Sequence, residues 1–172
     1  MEELAGTILV GESFEPVRGR VIIENGHIES IDRTETESSD IVLPAFVNAH
    51  THLGDSVAKE AGVGLSLEEA VAPPDSLKHR RLAAASQAEL VTAMCRTLRF
   101  MQQTGTASCL DFRESGIAGA RALRGAAEST DIDPFIFGSG DERVLEVADG
   151  YGASGANDDD FTAERAASRE RG

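Results

Sequence analysis

Hydrophobic and polar residues alternate along the first forty positions, in short runs that are separated by turn residues. Residues 7–10, 18–23 and 27–31 are rich in β-branched side chains, which favour strands. An Asn25-Gly26 pair separates the second run from the third, and this dipeptide is typical of a two-residue β-hairpin. The pattern predicts a small β-structure that is too short to be stable alone and packs on the residues that follow.

A helical period begins after residue 85. Ser86 and Glu89 have the spacing of a capping box, in which two side chains satisfy free backbone N–H groups at the start of a helix. Apolar side chains then recur every three or four residues up to residue 103, at Leu90, Met94, Leu98 and Met101. This spacing predicts an amphipathic helix whose apolar stripe packs on a core, and Gly105 ends it.

Short apolar runs alternate with helix-like segments through the rest of the chain. Strands are predicted near 43–52, 106–112, 134–137 and 151–154, and helices near 115–128, 142–148 and 161–171. Such alternation favours a parallel sheet with crossover helices, which is an α/β fold. Residues 53–85 show no long element beyond one or two helical turns at 66–72. A loop of that length in a compact domain is usually functional or disordered.

The strongest chemical signal is the sequence Leu-Pro-Ala-Phe-Val-Asn-Ala-His-Thr-His at 43–52. It predicts a buried strand, and side chains two residues apart on a strand point to the same face. His50 and His52 would therefore leave the strand end side by side and face one cavity. Imidazole nitrogen is a common ligand of zinc and iron. We expect the pair to bind a divalent metal, zinc with iron as the alternative, rather than to be core or surface histidines.

Two stretches, in the same order, resemble the metal-dependent amidohydrolase superfamily. They are the N-terminal β segment at 6–28 and the His-x-His strand at 43–52, and the strand at 109–114 is similar to an archaeal branch of the group. The resemblance implies a small N-terminal β-sandwich segment at 1–42. It further implies that 43–172 form the first half, about four β/α units, of a TIM-type (β/α)8 barrel with metal at its C-terminal face.

The same resemblance implies hydrolysis of a non-peptide C–N bond in a small molecule, either deamination of a heterocycle or cleavage of a cyclic or linear amide. The superfamily's other ligands are histidines that end strands five and six and an aspartate that ends strand eight, and in some members a strand-four lysine or glutamate bridges two metals. No histidine follows His79 and no lysine follows Lys78 in this sequence. The expectation is therefore an N-terminal fragment that is inactive alone, and whether the chain itself is an enzyme stays open.

Three further residues are candidates with two interpretations each. Asp55 follows the histidine pair and could bind substrate or orient a ligand histidine, or it could cap the loop. Arg113 lies at the end of a predicted strand and could bind an anionic substrate group bidentately, or it could pair with Asp111 or Glu114. His79 could line the mouth of the pocket or lie on an exposed charged face. No catalytic residue is assigned.

The acidic charge limits the partners of the chain. It carries 30 acidic and 16 basic residues, a net charge of −14, and the lysines are Lys59 and Lys78 alone. This balance opposes binding to nucleic acid or to an anionic membrane. It favours a cytoplasmic protein of a salt-loving organism over an ordinary acidic surface. The two cysteines have no metal-type spacing and are expected to be buried and reduced, and we find no signal peptide or membrane span.

Two other functions compete with the hydrolase. One is a metal phosphoesterase that also opens with His-x-His, although the β segment before the motif argues against it and only residues 78–81 form a basic cluster. The other is a non-catalytic half-barrel that associates with itself or with a second polypeptide. Four parallel strands would leave an open sheet edge, and such edges favour association, including a homo-oligomer.

Overall fold

The computed structural model describes residues 1–153 and 160–171. Contacts divide the chain into two units, Met1–Ala45 and Phe46–Gly172, and each unit contains one four-stranded sheet. In the described part of the chain, no helix has both the length and the apolar character that crossing a membrane requires.

The first unit is a mostly antiparallel sheet with the strand order β3-β2-β1-β4. Its strands are β1 (Glu2–Val10), β2 (Glu15–Glu24), β3 (His27–Arg33) and β4 (Ile41–Val42). Strand β2 pairs antiparallel with both β1 and β3, whereas β4 is parallel to β1. The predicted hairpin is confirmed, because Asn25 and Gly26 both have positive φ angles, 51° and 76°, as a type I′ turn requires. The buried apolar residues of this sheet are Ile8, Val17 and Val21.

The second unit alternates strands and helices, as the sequence predicts. Its strands are β5 (Phe46–Thr51), β6 (Thr106–Arg113), β7 (Asp133–Gly138) and β8 (Gly150–Tyr151). Its α-helices are α1 (Leu67–Val71), α2 (Leu77–Ala84), α3 (Gln87–Gln103), α4 (Gly116–Ala127) and α5 (Thr162–Arg171), and its 3-10 helices are Leu53–Val57, Lys59–Gly62 and Glu142–Glu146. The molecule is therefore a mixed α/β protein.

Strands β5 to β8 are all parallel and lie in the order of the chain. This sequential order is found in barrels, whereas a doubly wound sheet reverses its order at a switch point. Helices α3 and α4 cover one face of the sheet, where Met94, Leu98, Leu123 and Ile136 are fully or almost fully buried. The carboxyl ends of β5, β6 and β7 consequently meet at one edge of the sheet.

Helix α3 begins where the sequence predicts. The Ser86 hydroxyl accepts a hydrogen bond from the Glu89 amide, and the Glu89 carboxylate accepts one from the Ser86 amide, which completes the capping box. Its predicted stripe is confirmed, since Met94, Leu98 and Met101 are buried. Helix α1 begins with an identical box formed by Ser66 and Glu69.

The predicted burial of the 43–52 strand is wrong. The strand is shorter, Phe46–Thr51, and all of its residues are exposed except Thr51, which is half-buried. The physical reason is its position, because β5 is the outermost strand of the described sheet and pairs with β6 alone. Its parallel pairing, however, is confirmed.

Three smaller differences concern the later elements. The sequence does not predict helix α2, because the charged run at 78–81 leaves too few apolar residues to show a helical period. The predicted helix at 142–148 is a 3-10 helix, Glu142–Glu146. The weak strand predicted at 151–154 is Gly150–Tyr151, and its predicted end at Ser154 lies outside the described residues.

Candidate metal centre

The two imidazoles at the end of β5 converge. The Nε2 atoms of His50 and His52 lie 3.3 Å apart, and both rings line one cleft. The prediction that alternation places them on the same side is therefore confirmed. Phe112 of β6 packs against both rings, with centroid distances of 4.8 Å to His50 and 6.0 Å to His52.

This geometry fits two neighbouring ligand positions on zinc. Bonds of about 2.0–2.1 Å at a tetrahedral angle place two ligand nitrogens about 3.3–3.4 Å apart. The His52 Nδ1 atom lies 3.2 Å from the carbonyl oxygen of Phe112. A carbonyl oxygen only accepts hydrogen bonds, so this contact requires a hydrogen on Nδ1, and in the neutral ring Nε2 is then the nitrogen with the lone pair. Ligand histidines are commonly oriented in this way.

The histidine pair alone does not complete a metal site. Among residues 1–153 and 160–171, no group of three or more His, Cys, Asp or Glu side chains is placed to hold a metal ion. Catalytic zinc is usually bound by three protein ligands and a water. The described residues therefore fit part of a divalent-metal site, and further donors would be required to fill it.

A buried carboxylate fixes the segment that carries His52. Asp111 of β6 is fully buried, and its Oδ2 atom accepts hydrogen bonds from the Leu53 amide at 2.5 Å and from the Thr51 hydroxyl at 2.9 Å. Thr51 and Leu53 flank His52 in the chain, so one carboxylate fastens both sides of this residue. Burial raises the pKa of Asp111, and Arg113, the Leu53 amide and the Thr51 hydroxyl offset part of that effect.

Arg113 points into the helix layer and not into open solvent. Its side chain is 4% exposed, with Nη1 3.5 Å from Asp111 Oδ1 and 3.6 Å from the Met94 sulfur, and Nη2 pairs with Glu114. Gly54 makes room for the guanidinium, because a Cβ at that position would overlap it. These contacts favour the ion-pair interpretation of Arg113 over the binding of a substrate anion.

A second ion-pair group connects the long 53–85 segment to the end of β6. The Lys78 ammonium of α2 lies 2.5 Å from Glu114 Oε1 and 3.1 Å from Asp55 Oδ2. Burial lowers the pKa of Lys78, but Glu114 and Asp55 outweigh it and the net pKa is raised. Burial likewise opposes the ionisation of Glu114, and Arg113 and Lys78 outweigh it, so that the pKa of Glu114 is lowered. Both groups are therefore charged at neutral pH.

The cleft beside the histidine pair has a volume of about 460 Å³, within the range of small-molecule sites. It is lined by the ends of β5 and β6, the loop after β7 and the 53–85 segment. Its polar lining includes His50, His52, Lys78, His79, Arg113, Glu114 and Ser139. His79 is half-buried and its Nδ1 lies 2.7 Å from the Ser76 hydroxyl, so its placement on an exposed face is wrong. Asp55 does not line this cleft, and its Oδ1 is buried with no hydrogen-bond partner among residues 1–153 and 160–171.

Sequence reasoning did not identify Lys78 and Glu114 as part of the site. Glu114 follows a predicted strand end, which is where functional groups of parallel sheets gather, and that position is the signal that could have found it. Lys78 offers no comparable signal, because its place depends on the fold of the whole 53–85 segment. The two cysteines are free thiols, and Cys109 is buried as expected, whereas the expected burial of Cys95 is wrong because this residue is half-buried.

Comparisons with known proteins identify the family and the fold. The chain is 37% identical over 173 positions to a protein of Methanothermobacter thermautotrophicus that carries the name aminohydrolase, covering 87% of this chain and 45% of that relative. Over 55 positions it is 36% identical to the 5-methylthioadenosine/S-adenosylhomocysteine deaminase of Thermococcus kodakarensis, covering 27% of this chain and 13% of the enzyme. The chain spans about half the length of the Methanothermobacter thermautotrophicus relative.

The fold and the family follow from two further matches. The zinc-complexed atrazine chlorohydrolase TrzN from Arthrobacter aurescens TC1 superposes with a TM-score of 0.55 at 12% identity, covering 87% of this chain and 37% of that structure. At that identity the likeness concerns the fold alone. The family model described as "Amidohydrolase family" matches residues 41–167, well over half of the sequence. The chain therefore belongs to the amidohydrolase family.

Proposed function

We propose that this chain contributes His50 and His52 as two ligands of a divalent-metal centre, in a hydrolase that acts on a C–N bond of a small molecule. The observation that supports this most directly is the 3.3 Å separation of the two Nε2 atoms, together with the 3.2 Å contact between His52 Nδ1 and the Phe112 carbonyl oxygen. Zinc is the proposed metal, since the structural neighbour TrzN is complexed with zinc, and iron is the alternative.

The residues of this chain would bind and orient, and the metal would supply an activated water and polarise the substrate. His50 and His52 present their Nε2 atoms to the cleft, and Asp111 holds the backbone on both sides of His52. Phe112 packs against both imidazoles and restricts their rotation. Arg113 serves as the counter-charge of Asp111 and Glu114, and Asp55 as a counter-charge of Lys78.

Deamination of a heterocycle is the first proposed reaction, and cleavage of a cyclic or linear amide is the second. The names of the archaeal aminohydrolase and of the nucleoside deaminase support the first. We retain the division into a β-sandwich segment at 1–42 and a barrel part at 43–172 as a proposal, and the cytoplasm of a salt-rich cell as the proposed location.

Zinc binding to the purified 172-residue chain tests the metal proposal. Isothermal titration should show one zinc ion per chain, bound weakly because two imidazoles are fewer ligands than a stable site has. The double substitution His50→Ala and His52→Ala should abolish this binding. His27→Ala is the matched control, because this histidine lies in the β-hairpin of the first unit and its loss should change nothing. Unaltered binding in the double variant would refute the proposal.

Activity of the same chain is expected to stay at the level of the free metal. The described residues place two imidazoles and no third ligand at the site, and the exposed β5 strand does not exclude water. Amide and amidine substrates should therefore be hydrolysed no faster than by zinc alone. Metal-dependent turnover that disappears in the double variant would contradict this expectation, and would indicate that a second subunit completes the site.

Association through β5 is a second candidate role, and it is supported by the exposure of that strand. Phe46 and Val47 are more than half exposed, and β5 has a strand neighbour on one side only within the described sheet. We propose that β5 pairs with another strand, either from a second copy or from a second polypeptide. Light scattering on the purified chain should then give a mass above that of one 18.2 kDa protomer if it pairs with itself.

A further inference from the structure

The carboxylate of Glu114 joins three basic side chains beside the histidine pair. Its Oε2 atom pairs with the Arg113 guanidinium, whereas Oε1 lies 2.5 Å from Lys78 Nζ and 3.4 Å from His52 Nδ1. These groups come from separate elements, since Arg113 ends β6, Lys78 lies in α2 and His52 follows β5. One side chain therefore contacts residues from three separate segments beside the imidazole of His52.

The orientation of this carboxylate is fixed from two sides. The Arg113 side chain is 4% exposed and the Lys78 side chain 13% exposed. Neither cation can therefore exchange its contact with Glu114 for contacts with water without leaving its buried position. Because each carboxylate oxygen has its own cationic partner, a rotation of the Glu114 group would break at least one ion pair. Such charge-assisted contacts are shorter and stronger than neutral ones.

If Glu114 only neutralised the charge of Arg113, the position of one of its two carboxylate oxygens would be unexplained. The Oε2 contact alone would satisfy the guanidinium, and Oε1 could then face solvent. Instead Oε1 faces the cleft, where it meets Lys78 and the Nδ1 side of His52. The Nδ1 atom of His52 thus has two neighbours that only accept hydrogen bonds, the Phe112 carbonyl oxygen at 3.2 Å and Glu114 Oε1 at 3.4 Å.

We propose that Glu114 is a positioning residue for His52. Held in place by Lys78 of α2 and by Arg113, it favours the Nδ1–H tautomer of the neutral His52 ring and so directs the Nε2 lone pair at the metal position. Through Lys78 the 53–85 segment is coupled to the orientation of the ligand. The part of this inference that concerns metal rests on the function proposed above, whereas the state of the imidazole can be measured without any metal.

The substitution Glu114→Gln separates the contact with Arg113 from the contacts with Lys78 and His52, because an amide has one acceptor oxygen and not two. That oxygen cannot serve both Arg113 and the Lys78 side, and the more deeply buried guanidinium should retain it. The amide NH2 group would then face His52 and Lys78, where it offers hydrogen atoms to groups that need acceptors. Lys78→Met is the second variant, since it removes the cationic partner of Glu114 Oε1 and leaves the Arg113 contact intact. Lys78→Arg should restore a cationic partner for Oε1.

The first measurement is the tautomer of His52 in the metal-free 172-residue chain, read from the ¹⁵N shifts of its ring nitrogens. The wild type should show the Nδ1–H form, and Glu114→Gln and Lys78→Met should both increase the Nε2–H form. Asp131→Asn is the matched control, because Asp131 is an exposed carboxylate that pairs with Gln102 next to the start of β7, at the opposite end of the strands. A merely structural role for Glu114 would leave the tautomer unchanged.

The second measurement is the affinity for Zn²⁺ in competition with a chelator. Loss of an orienting partner of a ligand histidine typically weakens metal binding about 10- to 100-fold, so Glu114→Gln should weaken it about 10-fold or more and Lys78→Met by a smaller factor. A wild-type tautomer and wild-type affinity in both variants would overturn the inference. If the wild type binds no Zn²⁺ but the tautomer still depends on Glu114, the metal proposal fails and the positioning of the imidazole stands.

Discussion

Removal of the Asp111 carboxylate should destabilise the second unit and loosen His52 together. This side chain is fully buried and accepts hydrogen bonds from the Leu53 amide at 2.5 Å and the Thr51 hydroxyl at 2.9 Å. Its other oxygen faces Arg113 at 3.5 Å. In Asp111→Ala, the Leu53 amide would have no acceptor and Arg113 would lose one of its two carboxylates.

The expected magnitude follows from these contacts. An orphaned buried amide costs about 1–3 kcal/mol, and removing one partner of a buried ion pair costs about 3–5 kcal/mol when no other partner remains. Here Arg113 keeps Glu114, and the Thr51 hydroxyl also donates to the Leu110 carbonyl at 3.0 Å, so both losses are partial. The desolvation of the buried Asp111 charge is itself unfavourable, so its removal offsets a further part of the lost stability. We therefore expect Asp111→Ala to lower the free energy of unfolding by about 3 kcal/mol.

Urea unfolding followed by circular dichroism measures this change, because all the described helices lie in the second unit. Zinc affinity should fall in the same variant under conditions in which it is still folded, since the backbone on both sides of His52 is released. Asp133→Ala is the control, an exposed aspartate at the first position of β7. A loss of stability below about 1 kcal/mol, within the range of ordinary surface substitutions, or an unchanged zinc affinity would refute this reasoning.

Three further outcomes are expected. Ser86→Ala should lower the free energy of unfolding by about 1 kcal/mol, whereas Ser66→Ala should have a smaller effect, because its identical capping box begins a five-residue helix with no buried residue. In the folded protein a thiol reagent should modify Cys95 well before Cys109, since burial and the nearby Asp111 raise the pKa of Cys109 to about 11; equal rates would contradict this. The midpoint of thermal unfolding should rise as KCl is added, because salt screens the repulsion within a chain of net charge −14, and a constant midpoint would argue against such repulsion.

The parts of the fold that the sequence predicts correctly are those with local causes. The hairpin depends on Asn25-Gly26, and helix α3 on the spacing of Ser86 and Glu89 followed by an apolar stripe. The placement of His50 and His52 on one side follows from the alternation of any strand. Each of these signals lies within a few residues of the structure that it specifies.

The parts that could not be predicted depend on contacts between distant segments. Helix α2 has no side-chain cap at Ser76 and no buried residue, so neither end signals nor periodicity reveal it, and Lys78 was therefore not placed beside Glu114. Burial of β5 was predicted from its apolar composition. Burial, however, is decided by what packs on a strand, and the apolar side chains of Phe46 and Val47 are exposed at the sheet edge.

The two strands of this site contribute different properties to it. Strand β5 and His52, which follows it, supply the ligand nitrogens. Strand β6 and Glu114, which follows it, supply their orientation through Asp111, the Phe112 carbonyl and the Glu114 carboxylate. Within the described residues β5 is exposed and pairs with β6 alone, so the preorganisation of the imidazoles depends on β6 and on Glu114, which Lys78 contacts from α2. Substitutions on β6 should therefore change the affinity for metal even though none of its side chains is a proposed ligand.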